Sequence, residues 1–447
     1  MAKKLWGGRF TKPIDPKFEI FSQSIQYDSV LAEYDILHSI LHVKALNKAD
    51  LLTNDETESL LVALYELIKE VKDGNFSPNA DEEDIHSAVQ NILEERIGKL
   101  ALKLHTLRSR NDQIAFDVKA YSFSSALKLW DALSKLVKAY LKLADKTKEA
   151  PFIGYTHTQR AQIVLFSDYC RAYASMFDRD RERLEDYLKH TKVRIGAGAL
   201  AGSSIPHEAY TEAIKEEDPK DSLRMRVVEN SLEHVADRDF AIELLSHVSI
   251  IQMHLSRFAE DMVLYTTAEY DYIDLPEEFC TGSSLMPHKK NADLMELVRG
   301  HSGSIIGNLM ALHVTMKGLP LTYNRDMQLD KEPLFRSIDI LMDELDMVAR
   351  MVPGIELKKE KISKALSDEH LYGVEIAEFL VSQGLAFKDA HDVVGKLVRY
   401  SEDNNILIKQ IDESKLQEFH SSLDAKVLTS IMTPEYVVKQ KRSINRG

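Results

Sequence analysis

Cysteine, glycine and proline are all scarce in this sequence of 447 residues. The two cysteines, Cys170 and Cys280, are too few and too far apart for a disulfide framework or a cysteine-based zinc site. The 18 glycines and 12 prolines leave long stretches without a helix breaker. No apolar run approaches the roughly 18 residues of a membrane span. These absences exclude a small disulfide-rich fold. They predict a protein that has no membrane segment and that resides in a reducing compartment.

An excess of positive charge is missing as well. Lysine and arginine total 57 against 71 aspartates and glutamates, which gives a net charge of -14. Such a protein repels phosphate backbones and anionic membranes, so no nucleic-acid or membrane partner is expected. An anionic substrate stays possible, because a cleft can concentrate positive charge. The N-terminal MAKKLWGGRF has a Trp-Gly-Gly turn where a signal peptide needs apolar residues, which predicts a cytoplasmic protein.

Apolar residues recur at spacings of three and four, which predicts an all-α fold. Long helical patterns cover residues 114–144, 227–264 and 293–316, and helices of this length usually form bundles. The pattern breaks near Leu107 and at Pro353-Gly354. We therefore expect three domains: an N-terminal helical domain at 1–107, a central long-helix domain at 108–353 and a C-terminal helical domain at 354–447. The final SINRG is expected to be a frayed end.

Two polar segments precede predicted helices. Residues 81–86, DEEDIH, place carboxylates at a helix N-terminus, where simple capping is about as frequent as a functional role. Glu83 and His86 form one Glu-x-x-His, but a di-iron bundle needs a second copy. Residues 105–112, HTLRSRND, combine two arginines with hydroxyl and amide groups, as a carboxylate receptor does. On composition alone, a solvated helix cap is the commoner explanation.

Two further segments are candidates for proton transfer and anion binding. Residues 154–162, GYTHTQRAQ, form a polar cluster that leads into an apolar helix, and a suitably oriented histidine such as His157 can deliver or accept a proton. A lone histidine is more often structural. Residues 281–291, TGSSLMPHKKN, predict a mobile loop whose two lysines can stabilise negative charge, as in a lid.

Two other patterns lack the context that a ligand site needs. Residues 196–202, GAGALAG, have neither the spacing of a dinucleotide loop nor the Lys-Ser/Thr of a phosphate loop, so we interpret them as a turn. His38 and His42 lie one helical turn apart, but no partner at zinc spacing accompanies them. No metal site and no cofactor are predicted.

The 281–291 segment matches the signature Gly-Ser-x-x-Met-x-x-Lys-x-Asn of the fumarase and aspartase superfamily. The matching residues are Gly282, Ser283, Met286, Lys289 and Asn291. Within that superfamily, LWGGRF, DEEDIH, the 108–112 run, THTQRAQ, GALAG, ADRDF and MKGLPLTYNRD resemble the argininosuccinate lyase family. These motifs extend from Leu5 to Asp326.

The resemblance implies a three-domain α fold whose central helices assemble from four subunits into one core bundle. It implies a homotetramer whose active sites are shared between subunits. The reaction that it implies is the β-elimination of argininosuccinate to L-arginine and fumarate, which needs no cofactor. The family's catalytic pair falls on His157 and Ser283. The substrate-binding residues that it implies are Ser24, Asn111, Thr156, Lys289, Asn291, Tyr323, Gln328 and Lys331.

The chemistry requires removal of a weakly acidic proton beside a carboxylate and protonation of the leaving nitrogen. We favour Ser283 as base and His157 as acid, and the reverse assignment stays open. The sequence departs from the family pattern at Leu107, His288 and Ala292, where glycine, glutamine and proline are common, and its C-terminal tail is expected to be shortened. The alternatives are an adenylosuccinate lyase, or a catalytically silent structural homologue like the lens proteins of the family.

Overall fold

The computed structural model describes residues 12–440, and it confirms the all-α class. The N-terminal LWGGRF motif and the final SINRG lie outside the described residues. The α-helices are α1 Pro16–Ser22, α2 Ile25–Asp28, α3 Ala32–Lys48, α4 Asn54–Lys72, α5 Ile85–Ile97, α6 Arg110–Lys146, α7 Phe166–His190, α8 His207–Glu217, α9 Ser231–Ala236, α10 Asp239–Thr266, α11 Asp293–Met316, α12 Lys331–Met351, α13 Lys359–Leu366, α14 Gly373–Ser382, α15 Phe387–Asp403, α16 Glu413–Phe419, α17 Ala425–Ile431 and α18 Pro434–Gln440.

Short 3-10 helices and strands join these helices. The 3-10 helices are Ser29–Leu31, Gly98–His105, Glu277–Phe279, Arg325–Asp330, Val352–Gly354, Glu369–Tyr372 and Ile408–Gln410. The strands are β1 Pro151–Thr156, β2 Gln159–Leu165, β3 Arg194–Ile195, β4 Arg226–Val227, β5 Ile273–Asp274 and β6 Glu356–Leu357. They form three two-stranded sheets in the described chain, with β1-β2 and β5-β6 antiparallel and β3-β4 parallel.

The chain forms two compact units. Unit 1 comprises Met1–Leu133, Arg179–Met253 and Gly300–Glu344, and unit 2 comprises Ser134–Asp178, His254–Arg299 and Leu345–Gly447. In unit 1, α3 packs against α4, α5 and α8. In unit 2, the β1-β2 hairpin contacts α13 and α18, and α14 packs on α15. The division into three domains at Leu107 and Pro353 stays a prediction.

Two of the three long helical patterns correspond to single helices. Residues 114–144 lie within α6, and residues 293–316 coincide with α11. The 227–264 pattern is interrupted, because Val227 belongs to β4 and an extended residue, Asp237, separates α9 from α10. The Asp237 carboxylate accepts a hydrogen bond from Asp239 N at 2.9 Å and pairs with Lys119 Nζ at 2.5 Å. A side-chain cap therefore starts α10 where periodicity alone predicts an unbroken helix.

No helix among residues 12–440 is both long and apolar enough to cross a membrane.

Candidate active site

One cleft in unit 1, with a volume of about 200 Å³, gathers charged side chains from four parts of the chain. It lies where α2, the N-terminus of α5, the first turn of α6 and the Arg325–Asp330 3-10 helix meet. Three carboxylates and three cationic side chains line it, so it suits a ligand that carries both signs of charge. The lining residues are Ser24, Asp28, Glu83, Asp84, His86, Arg110, Asn111, Ile114, Tyr323, Arg325, Gln328 and Lys331.

Asp28 is a buried carboxylate at the end of α2. Its Oδ2 accepts a hydrogen bond from Ser24 Oγ at 2.6 Å, and its Oδ1 accepts one from Ile85 N at 3.2 Å. Burial raises the pKa of Asp28 to about 6, although the Ser24 hydroxyl and His86 favour the ionised form. Asp28 therefore changes charge close to neutral pH.

The arginines of the cleft are held by carboxylates at the start of α5. Arg110 donates to Asp84 Oδ2 and to Ser87 Oγ, each at 2.7 Å. Asp84 also caps α5 by accepting from Ser87 N at 2.8 Å, which is the capping that DEEDIH predicts. Arg325 lies 3.6 Å from Glu83 and donates to Ser22 O at 2.7 Å. These contacts orient both guanidinium groups. Each still has N–H groups left to donate to a ligand, since arginine carries five of them.

Asn111 is held at the start of α6 by a glycine-rich turn. Its Nδ2 donates to Ala199 O at 2.9 Å, and the turn that contains Ala199 is the one predicted from GAGALAG. The adjacent Asp112 accepts from Gly196 N at 3.0 Å and lies within 3.4 Å of the buried His38 and His234 side chains. Burial would raise the pKa of Asp112, but hydrogen bonds from His234 and His38 hold it far below its usual range.

Lys331, Gln328 and Tyr323 complete the cleft. Lys331 Nζ, almost fully buried, donates to Asp330 Oδ1 at 3.0 Å, and the other Asp330 oxygen accepts from Arg238 Nε. Gln328 Nε2 donates to Ser22 O at 3.1 Å and to the Tyr27 hydroxyl at 3.2 Å. These contacts fix the Arg325–Asp330 segment against the N-terminal helices of unit 1.

Beneath the cleft lies the set of described residues with ligand atoms close enough for a metal: Asp35, His86 and Asp117, within 4.8 Å of one another. His86 Nδ1 is 2.7 Å from Asp35 Oδ1 and 3.6 Å from Asp117 Oδ2. Burial alone would raise the pKa of Asp35, but His86 holds it at about 2. Burial and the Asp35 charge raise the pKa of Asp117 well above its usual range. The His86 imidazole already pairs with Asp35, and the positive charges of His86 and Arg108 would repel a cation, so we assign the cluster no metal.

In unit 2, His157 lies at the tip of the β1-β2 hairpin. His157 and Thr158 form a two-residue loop with φ of 53° and 59°, and Thr156 pairs with Gln159 across it. Two central residues at positive φ are typical of a type I′ turn, which usually contains asparagine or glycine. The apolar helix predicted after this segment is α7, but the sequence did not predict that residues 159–165 form β2 before it. Thr156 and the His157 imidazole are exposed, and the positive φ of His157 and Thr158 points to a functional constraint.

Ser283 lies in an exposed loop that begins and ends in unit 2. The loop is closed by a pair of backbone hydrogen bonds between Thr281 and Asn291, of 3.2 and 2.8 Å. Ser283 Oγ accepts hydrogen bonds from the N–H groups of Leu285 at 3.3 Å and Met286 at 3.1 Å. Asn291 Nδ2 donates to Gly282 O at 3.4 Å, and the Lys289 side chain is exposed.

Five residues that the sequence predicts to bind substrate meet in the cleft: Ser24, Asn111, Tyr323, Gln328 and Lys331. Thr156, His157, Ser283, Lys289 and Asn291 belong to unit 2. Sequence reasoning missed Asp28, Ile114 and Arg325 as lining residues. It noted DEEDIH and the 105–112 run, which contribute Glu83, Asp84, His86 and Arg110, without assigning these side chains to the site.

A general lyase family model matches residues 8–307, and an argininosuccinate lyase C-terminal model matches residues 370–439. Argininosuccinate lyases of Geotalea daltonii and Caldanaerobacter subterraneus subsp. tengcongensis are 41% and 40% identical over 441 residues. These alignments cover 98% of this chain and 95% and 98% of the two relatives.

Solved structures share the fold at lower identity. An EDDS lyase in complex with formate superimposes with a TM-score of 0.81 at 22% identity, over 97% of this chain and 87% of that one. A class II fumarase from Schistosoma mansoni gives 0.76 at 17% identity, over 92% and 91%. The family-model matches and the full-length relatives show that the chain belongs to the argininosuccinate lyase family.

Proposed function

We propose that this protein splits argininosuccinate into L-arginine and fumarate by general acid/base β-elimination, a step of arginine biosynthesis. The observation that carries the proposal is the cleft of unit 1, which gathers five of the residues implied by the family. Its Arg110, Arg325 and Lys331 suit the carboxylates of argininosuccinate, and its Asp28, Glu83 and Asp84 suit the cationic groups.

Ser283 is the base in this proposal. A serine hydroxyl removes a weakly acidic proton only if its alkoxide is stabilised. The N–H groups of Leu285 and Met286 already point at Ser283 Oγ, and the same donors would bind the alkoxide more strongly than the hydroxyl. Lys289 and Asn291 in the same loop, together with Thr156, would stabilise the doubly charged aci-carboxylate that forms.

His157 is the acid that protonates the leaving guanidinium nitrogen. His157 lies on an exposed two-residue turn, so its imidazole is accessible for delivering a proton to a bound ligand. The reverse assignment, with His157 as base, is the alternative. Each proton transfer of this kind contributes about 10²- to 10⁴-fold to the rate.

A cytoplasmic homotetramer with shared active sites is the assembly that we propose. In its support, α11 exposes a face of small and apolar residues over its second half: Gly303, Ile306, Gly307, Met310 and Val314. Apart from the adjacent backbone of α11 itself, no atom of residues 12–440 lies within 4 Å of a Cβ built on either glycine, so a helix of another subunit can approach closely. Such a stripe on a long helix is typical of a subunit interface.

Mixing two inactive variants tests the sharing of sites. If the histidine and the serine of one site come from different subunits, His157→Asn and Ser283→Ala chains complement each other. After joint denaturation and refolding in equal amounts, about a quarter of the sites should hold both intact groups. Activity near that fraction supports sharing. Mixed tetramers with no gain over each variant refolded alone would show that one chain supplies both groups.

The reaction is tested against the rival substrates. Purified protein is offered argininosuccinate, adenylosuccinate and malate separately while the absorbance of fumarate is followed. We expect fumarate from argininosuccinate alone. Fumarate from adenylosuccinate alone would make the protein an adenylosuccinate lyase, and no turnover of any substrate would favour a silent structural homologue.

A further inference from the structure

Two tyrosine hydroxyls meet directly below the turn that carries His157. Tyr155, two residues before His157 on β1, lies with its hydroxyl 3.0 Å from the hydroxyl of Tyr272. Tyr155 is half-buried and Thr156 is exposed, so Tyr155 is the last sheltered side chain before the tip of the hairpin. Tyr272 is buried, at 4% exposure. The pair therefore joins the exposed end of the hairpin to a fixed part of unit 2.

Arg160 adds a third member to this pair of hydroxyls. Arg160 faces Tyr155 across the hairpin and hydrogen-bonds its side chain, and it also donates to Asp368 Oδ2 at 3.2 Å. A guanidinium has only donors, so the Tyr155 oxygen accepts from Arg160. A hydroxyl oxygen can accept two hydrogen bonds, so either tyrosine can donate to the other while Arg160 holds the Tyr155 oxygen.

Tyr272 is anchored on several sides. Its backbone N–H donates to Tyr265 O at 2.9 Å, and its carbonyl accepts from Lys358 N at 2.9 Å. Its ring packs edge-on against Phe152 at 5.8 Å and Tyr270 at 5.6 Å. An anchor of this kind has one preferred position, which it can impose on the Tyr155 hydroxyl.

The turn itself needs such support. His157 and Thr158 both adopt positive φ without being glycine, which costs roughly 1 kcal/mol or more for each residue. The register of the hairpin shifts between Gly154 and Tyr155, a bulge that changes the direction in which the following residues point. Contacts at the base of the turn must therefore select this conformation over relaxed alternatives.

We propose that Tyr272 is a positioning residue for His157, acting through its hydrogen bond to the Tyr155 hydroxyl. The effect of Tyr272 on turnover rests on the proposed function, whereas its effect on the position of His157 does not. The position of the imidazole can be measured without any substrate.

The test compares Tyr272→Phe with Tyr270→Phe. Each change removes one hydroxyl from the same aromatic cluster, but the Tyr270 hydroxyl has no hydrogen-bond partner among residues 12–440. Loss of one hydrogen bond, about 1 kcal/mol, should lower kcat about fivefold in Tyr272→Phe and leave KM within twofold. Tyr270→Phe should keep the wild-type kcat. Tyr155→Phe, which also removes the contact with Arg160, should lower kcat at least as much as Tyr272→Phe, and the double variant should be no worse than Tyr155→Phe alone.

The His157→Asn variant, which lacks the imidazole, separates an effect on the position of His157 from a general loss of structure. If Tyr272 acts through His157, adding Tyr272→Phe to His157→Asn should not lower the residual kcat further. A further fivefold loss there, or equal kcat in Tyr272→Phe and the wild type, would overturn the proposal.

A spectroscopic reading keeps the two proposals separate. In histidine-labelled protein, the Cε1–H resonance of His157, identified by its absence in His157→Asn, should shift or broaden in Tyr272→Phe and not in Tyr270→Phe. An unchanged resonance overturns the positioning role even if argininosuccinate is turned over. A changed resonance supports it even if the wild type turns over no substrate, which would contradict only the proposed function.

Discussion

The raised pKa of Asp28 predicts an unusual dependence of stability on pH. The folded protein binds the Asp28 proton more tightly than the unfolded chain does, because the pKa rises from 3.8 to about 6. The resulting stabilisation is complete below about pH 4 and is lost as the pH rises through 6. Two pKa units correspond to roughly 3 kcal/mol at most, so above pH 7 the ionised carboxylate lowers the free energy of unfolding by about that amount.

Asp28→Asn should remove this effect. An asparagine oxygen can still accept from Ile85 N, and the Ser24 hydroxyl can turn to accept from the new amide. Without substrate, the variant should therefore be more stable than the wild type by up to about 3 kcal/mol at pH 8, and the difference should vanish near pH 4. Urea denaturation at several pH values measures it. Asp131→Asn, an exposed change of the same charge on α6, is the control. A difference that is independent of pH, or an Asp28→Asn protein that is less stable than the wild type at pH 8, would refute the reasoning.

Three further outcomes follow. Arg238→Met should lower the free energy of unfolding by about 3 to 5 kcal/mol, because the buried Asp330 then keeps Lys331 as its remaining charged partner. Thermal denaturation measures this loss. Leu107 has a φ of 55°, a conformation that suits glycine. Leu107→Gly should therefore be more stable than Leu107→Val by about 1 kcal/mol. The reverse order would contradict the positive φ at this residue. Ser24→Ala removes a donor to ionised Asp28 and should raise the pKa of Asp28 further, which an NMR titration of the carboxyl carbon measures; a fall would contradict the hydrogen bond.

The long helices were predictable because the apolar spacing that specifies each one lies within its own stretch of sequence. The apolar spacing in α6 and α11 persists over many turns, and no proline interrupts it. The gap between α9 and α10 was not predictable from spacing, since it depends on the Asp237 cap and on Lys119, 118 residues away in sequence. The β1-β2 hairpin was missed for a related reason. Its turn carries His157 and Thr158 instead of the asparagine or glycine that usually marks such a turn.

The candidate site was predictable only as far as motifs and family resemblance extend. Asp28 belongs to no motif, and its burial depends on the fold that brings α2 against the start of α5. The two donors to Ser283 Oγ are backbone groups, which a sequence does not reveal. The same holds for the contact between the Tyr155 and Tyr272 hydroxyls, 117 residues apart.

The central claim is that His157 and Ser283 catalyse the elimination of argininosuccinate. Its most direct test measures arginine and fumarate together for the wild type, His157→Asn and Ser283→Ala, with circular dichroism as a check of folding. We predict equal amounts of both products from the wild type and a kcat at least about 10²-fold lower in each folded variant. No fumarate from the wild type, or near-normal kcat in either variant, would contradict it.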